Sequence, residues 1–291
     1  MNKLHGAGAA LLTAISMTGS AWAADMAVPV YPAPVIACSW CGFYAGLNLG
    51  AAIGRSEVNL TPTGFWNEIG GDPNAPFFGA AGSPSFNSTD FSGGGQIGVN
   101  SQWGSLVAGL EVDMEYLGFS ASRDATFTGP AAAPFGGTPE MFHFSERVKD
   151  DWVSTQRLRL GWAVNPEFLI FGTGGLTLSQ QSFSQTYTIP NFNGGGVAGL
   201  APGFTVSTTG SGAVSKLVGG WTAGGGVEWR FAPNWSARAE YLYMDLGSVQ
   251  FNSVLSGLPG YTAHHQEHMF ENVARVAINY QFWAPPPVIG R

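Results

Sequence analysis

Charge is scarce in this chain. Acidic and basic residues together make up 11% of its 291 positions, where soluble domains carry about 25%. A protein of this size with all of its surface in water would want more. Basic blocks are absent, and the formal net charge of -7 argues against a nucleic-acid partner. Long apolar runs are missing too: no run past the N-terminus reaches the roughly 18 residues that a membrane helix needs. Cysteine is limited to Cys38 and Cys41, short of the four ligands of a structural zinc site. Sequence repeats do not occur. Glycine, by contrast, is plentiful at 42 residues, about twice the usual share, and aromatics at 13% suit the girdles of a membrane barrel.

The N-terminus carries an export address. Lys3 supplies a positive start, Gly6 to Met17 a short apolar stretch, and Ala21-Trp22-Ala23 a small-x-small cleavage site, so residues 1–23 read as a signal peptide. A Pro-rich lead follows over 24–41. The apolar stretch is too short to serve as a spanning anchor.

Alternation is the dominant pattern. From Leu106 to Tyr116, the apolar Leu106, Ala108, Leu110, Val112, Met114 and Tyr116 alternate with a polar set that includes Glu111, Asp113 and Glu115. Successive side chains of a strand point to opposite faces, so this segment has one apolar and one charged face. Similar segments recur near 42–53, 93–103, 151–164, 167–180, 216–231, 234–249 and 270–283. Tight turns at 103–105, 165–166 and 232–234 alternate with long Gly-, Pro- and Ser-rich connections at 54–92, 119–150, 181–215 and 250–269. The expectation is an all-β fold: an eight-stranded antiparallel transmembrane β-barrel over 42–283, with short periplasmic turns, long extracellular loops and a Pro-rich tail at 284–291. A soluble β-sandwich is the alternative, but its outer faces would have to be polar. The fifth segment, Phe168 to Leu178, is ambiguous because both of its faces carry apolar and small residues.

Inward positions collect Glu111, Asp113, Glu115, Glu228 and Glu240 against Arg157, Arg159, Arg230, Arg238 and Arg275. Eight strands leave an interior only wide enough for side chains, and buried charges must be paired. A ladder of Arg–carboxylate pairs that plugs the lumen is the expected filling, and a charge-lined diffusion pore is the alternative.

These residues carry a family resemblance. Gly42-Phe43-Tyr44-Ala45-Gly46-Leu47-Asn48-Leu49-Gly50 resembles the first-strand motif of the outer-membrane immunogenic proteins of alphaproteobacteria, the porin-like RopB group of small OmpA/OmpX-type barrels. Thr155 to Gly161, Gly172 to Gly175, Gly220 to Glu228, Ala239 to Gly247 and Val273 to Tyr280 match it in order. The resemblance implies a surface-exposed structural barrel of the outer membrane, with porin-like or haem-binding behaviour in some relatives, and transfers no catalytic site. Its surroundings would be outer-membrane lipid and lipopolysaccharide, and its partner during biogenesis the barrel-assembly machinery. Such barrels usually end on an aromatic residue, whereas here Phe282 and Trp283 are followed by Ala284 to Arg291.

Two clusters invite a sharper reading. Cys38-Ser39-Trp40-Cys41 has redox spacing but no βαβ context, so a local disulfide is the simpler account. His264, His265 and His268, with Glu267 and Glu271 nearby, could bind zinc, copper or haem iron. A polar loop tip with no fixed ring orientations is the simpler reading, and no metal or cofactor is expected. No histidine sits at clear spacing from a strand Ser or Asp, so no enzymatic activity is expected either.

Overall fold

The computed structural model describes residues 38–67, 72–130, 139–192 and 205–282. The expected signal peptide over 1–23, the expected lead up to residue 37 and the expected tail over 284–291 lie outside the described residues. Eight strands run β1 (Gly42–Gly64), β2 (Ser85–Trp103), β3 (Leu106–Thr128), β4 (Met141–Ala163), β5 (Phe168–Phe192), β6 (Val206–Ala232), β7 (Trp235–Leu255) and β8 (Leu258–Gln281). Each pairs antiparallel with its neighbour, and β8 closes on β1. One short helix, α1 (Ala75–Ala81), lies between β1 and β2.

The strands are far longer than their alternation suggests, and most of the expected loops are strand. Two physical reasons account for the difference. β-bulges interrupt the register between Tyr116 and Phe119, between Asp150 and Val153, and between Asp245 and Ser248. On β4 and β7 a one-residue bulge moves the inward set from one parity to the other, so the inward series Phe142, Phe144, Glu146, Val148, Asp150 continues as Val153, Thr155, Arg157. Each strand also passes through two solvents. Near the termini and the tight turns its outward face is apolar, with Leu158 and Leu160 65% and 62% exposed. Beyond the bulges the outward face carries Ser145, Arg147 and Lys149, while Phe142, Phe144 and Val148 turn inward. The outward apolar stretches, such as Leu106 to Tyr116, match the roughly 9–11 tilted residues that cross a bilayer. Trp152, Trp221 and Tyr243 mark the outer rim of that band, and Trp162, Trp229, Trp235 and Tyr280 the inner one.

On β5 the ambiguity resolves. Phe168, Ile170, Leu176 and Leu178 face lipid, whereas Leu169 and Phe171 are buried inside. Leu169 packs with Trp40, and Phe171 lies under guanidinium groups.

Toward the outer mouth the ring divides. The β2–β3 ladder starts only at Gly93–Tyr116 and the β6–β7 ladder at Trp221–Asp245. Beyond those points two four-stranded sheets, β7-β8-β1-β2 and β3-β4-β5-β6, face each other across apolar clusters. One cluster includes Leu117, Phe119, Phe183, Leu242 and Met269. The other includes Trp66, Phe78, Phe142, Phe144, Tyr187 and Tyr261. The rejected sandwich thus describes the outer half, built on the barrel that crosses the membrane.

Because the band is set by its outward residues, Leu158→Arg, close to midway between the rim residues Trp152 and Trp162, should destabilise the barrel by about 2–4 kcal/mol in lipid vesicles. Ser145→Arg, on the wet part of the same strand, should stay within about 0.5 kcal/mol. Urea unfolding of the two variants in vesicles checks the contrast, and equal effects would contradict the placement of the band.

Candidate functional site: the barrel lumen

Four guanidiniums and five carboxylates fill the lumen within the membrane band. β3 brings Glu111, Asp113 and Glu115 to one wall and β4 brings Arg157 and Arg159 beside them, with Glu111 directly across from Arg157 in register. β6 supplies Glu228, β7 Arg238 and Glu240, and β8 Arg275. Arg157 Nη2 donates to Glu111 Oε1 at 2.5 Å and to Asp113 Oδ2 at 2.6 Å, while its Nη1 reaches Glu240 Oε1 at 2.8 Å. Arg275 joins Asp113, Glu115 and Glu240 at 2.7–2.8 Å. Arg238 donates to Glu111 Oε2 at 2.6 Å, and Arg159 donates to Glu228.

Neutral groups extend the network, although Arg157 Nε, Arg238 Nη2 and Glu115 Oε1 have no hydrogen-bond partner among the described residues. Tyr44 Oη donates to Glu111 at 2.5 Å, Thr155 Oγ1 to Asp113 at 2.7 Å, and Ser236 and Asn279 to Glu228 at 2.5 and 2.9 Å. Asn48 donates to Gln96 Oε1 and Gln96 to Asn279 Oδ1, each at 2.7 Å. Gly98 makes room for Tyr44: a Cβ there would lie 2.4 Å from the phenol ring. Phe171 backs the ladder, with Arg159 stacked 3.9 Å above its ring centroid.

Arg230 is the one expected member that does not join. It lies at the periplasmic mouth, donating to Gln281 Oε1 at 2.8 Å with its guanidinium 4.8 Å from the Trp40 ring. It sits near the inner end of β6, beyond the reach of the carboxylates. Trp40 is buried against Val107, Ala163 and Leu169, and its backbone N–H donates to Gln102. Cys38 and Cys41 are joined in a disulfide that closes the turn presenting this ring.

The histidines are not in a loop. His264, His265 and His268 lie on β8, where the alternation expected for the last strand continues outward past Phe270. Alternate parity separates them. His265 is buried inside, whereas His264 and His268 face outward, at 2.8 and 2.9 Å from Asn252 and Asp245. His143 lies on β4 beside Asp124 and Thr126. Among the described residues no three His, Cys, Asp or Glu side chains gather as a metal site.

His265 does meet a strand serine, which spacing did not reveal because Ser253 comes from β7. Ser253 Oγ lies 2.6 Å from His265 Nε2, and His265 Nδ1 lies 2.6 Å from Gln185 Oε1. Gln185 Oε1 can only accept, so the neutral ring donates from Nδ1 and accepts the Ser253 proton at Nε2. Burial holds the His265 pKa down at about 4. Tyr187 Oη caps Ser253 at 2.9 Å, and Gln185 donates onward to Glu146 and to Gly82 O. Arg123 pairs with Glu146 at 2.6 Å and donates to Ala81 O at 2.7 Å. The relay therefore ties the end of α1 into the barrel. There Phe78 stacks on Trp66 at 4.8 Å and meets Tyr187 at 4.9 Å, sealing the outer mouth with aromatic rings.

Between ladder and aromatic seal lie Asp150, Glu267 and Glu271, all buried. Ser56 donates to Glu267 Oε1 at 2.6 Å. Asp150 and Glu267 sit above the membrane rim, and burial raises both pKa values to about 7.

A family model agrees with this architecture. The family model for the outer membrane protein beta-barrel domain matches residues 7–282. The chain belongs to this family. This outer-membrane barrel is 29% identical over 272 residues to the 31 kDa outer-membrane immunogenic protein of Brucella melitensis, covering 90% of this chain and 94% of that one. It is 27% identical over 205 residues to the 22 kDa outer membrane protein of Rhizobium leguminosarum bv. viciae, covering 67% and 72%. Among solved structures, the outer membrane protease OmpT of Escherichia coli aligns at a TM-score of 0.39 and 9% identity, over 86% of this chain and 99% of that one. Ail of Yersinia pestis aligns at 0.27 and 10%, over 80% and 99%. The barrel is an outer-membrane protein.

Removing one carboxylate of the ladder leaves buried guanidiniums uncompensated. Glu111→Ala should cost about 3–5 kcal/mol in the same unfolding measurement. A loss under 1 kcal/mol would contradict the pairing.

Glu267 gives a pH test. Its carboxyl has an ordinary value of 4.5 and a folded value of about 7, so between these the folded chain keeps a proton that the unfolded chain has released. Its contribution to stability falls as pH rises through that window. Glu267→Gln keeps an acceptor for Ser56 and should match wild type near pH 4 while exceeding it by about 3 kcal/mol at pH 8. A pH-independent difference would contradict the assignment.

Proposed function

We propose that this outer-membrane barrel is a closed, structural surface protein that supports envelope integrity, with neither catalytic nor diffusion-channel activity. The observation that carries the reading is the lumen. Arg157 alone bonds three carboxylates contributed by two different walls, leaving side chains where a channel would hold water. Two further layers support it, Trp40 at the periplasmic mouth and the Trp66–Phe78–Tyr187 cluster at the outer one. An eight-stranded barrel has no spare width to compensate. The Ser253–His265 pair fits the same reading. Ser253 and His265 are 2% and 0% exposed, and Tyr187 occupies the remaining approach to the hydroxyl.

The Brucella relative is named as an immunogenic protein of the outer membrane, in keeping with exposure of the outer half at the cell surface. The test is conductance. In planar bilayers the refolded wild-type barrel should show no steady single-channel steps in molar salt. Steady ohmic steps that change ion selectivity on Glu111→Ala would make the charges a channel lining and overturn the closed reading. In the cell, loss of the protein should increase sensitivity to detergents, and Arg157→Ala should fail to restore resistance.

A further inference from the structure

We propose that the outward face of β4, β5 and β6 just beyond the membrane rim is a binding site for the phosphorylated headgroup of an outer-leaflet glycolipid. Arg147 and Lys149 project outward from β4, and the register sets Arg147 beside Ser184 and Lys149 beside Ser182, which in turn adjoins Ser215 of β6. Ser182 and Ser215 are linked hydroxyl to hydroxyl at 2.8 Å. Together these five side chains line a groove of about 260 Å³. Lys149 is held by Asp151 at 2.7 Å, whereas Arg147 makes no ion pair among the described residues. A guanidinium with free donors, an ammonium and three hydroxyls form a donor-rich pocket suited to a phosphate, which Arg binds through paired N–H groups.

Position selects a lipid over a free anion. Ser215 lies two residues outward of Leu217 and Ser182 four outward of Leu178, both of which face lipid. At about 3.3 Å per residue this sets the pocket roughly 7–13 Å along the strands from the last acyl-facing side chains, at headgroup depth. One amphiphile can lay its chain on Leu178 and Leu217 and its phosphate between Arg147 and Lys149. The opposite sheet offers no equivalent. Its outward cation Arg55 pairs with Glu57 at 2.7 Å, as Lys149 does with Asp151, but among the described residues has no second, unpaired guanidinium beside it.

Native mass spectrometry of the folded barrel in detergent, titrated with bis-phosphorylated lipid A and with the same lipid after dephosphorylation, tests the site. Wild type should retain the phosphorylated form at least tenfold more tightly, Arg147→Gln/Lys149→Gln should abolish that preference, and Arg55→Gln should leave it intact. Heat-modifiable migration on unboiled gels confirms that each variant is folded. Equal retention of the two lipids, an undiminished preference in the double variant, or an equal loss in Arg55→Gln would overturn the proposal. Displacement of the lipid by millimolar inorganic phosphate would overturn it as well, by showing a site for free anions.

Discussion

The constraint on which the rest depends is the charge of Arg157, buried in the middle of the lumen. A guanidinium in the middle of an eight-stranded barrel is stable only if carboxylates surround it, and Glu111, Asp113 and Glu240 do so from two walls. That demand fixes the inward polarity of β3, β4 and β7 at one height. Since side chains alternate, it also fixes their outward faces as the lipid surface. The ladder and the membrane band are therefore one pattern seen from its two sides. A slip of one residue in any of these strands would bring charge to lipid and leucine to the ladder.

Further out the same strands obey the opposite rule. Once water replaces lipid, apolar residues gain by turning inward, and the two sheets close over Phe78, Phe144, Tyr187 and their neighbours. The interruption of the β2–β3 and β6–β7 ladders accompanies this change. A ring stiff enough to hold an ion-pair ladder gives way to two faces that press together over rings. A polar thread through this region, Arg123–Glu146–Gln185–His265–Ser253–Tyr187, satisfies its own hydrogen bonds and ties down α1, as a buried polar chain must.

The membrane half was legible in the sequence because its code is strict. Lipid tolerates no charge, so the outward positions of Leu106 to Tyr116 and of Ala274 to Phe282 are apolar throughout, and eight strands with their tight turns could be read directly. The outer half was not legible, for reasons visible at particular residues. The bulge after Asp150 breaks the parity, Gly118 and Gly247 adopt positive φ beside the bulges of β3 and β7, and outward serines resemble loop composition. Arg230 had the inward parity of its companions but lies at the mouth, because parity tells direction and not depth. The Ser253–His265 pair joins neighbouring strands, and a pairing across a sheet leaves no mark in linear spacing.

The most direct measurement is a double-mutant cycle on the ladder, Arg157→Met, Glu111→Gln and the two combined, unfolded by urea in lipid vesicles. If the lumen is closed by mutually compensating charges, the double variant should be more stable than the sum of the single losses predicts, by about 1–3 kcal/mol. Strict additivity would mean that the two side chains reach solvent independently. That result would contradict a barrel sealed by its own ion pairs.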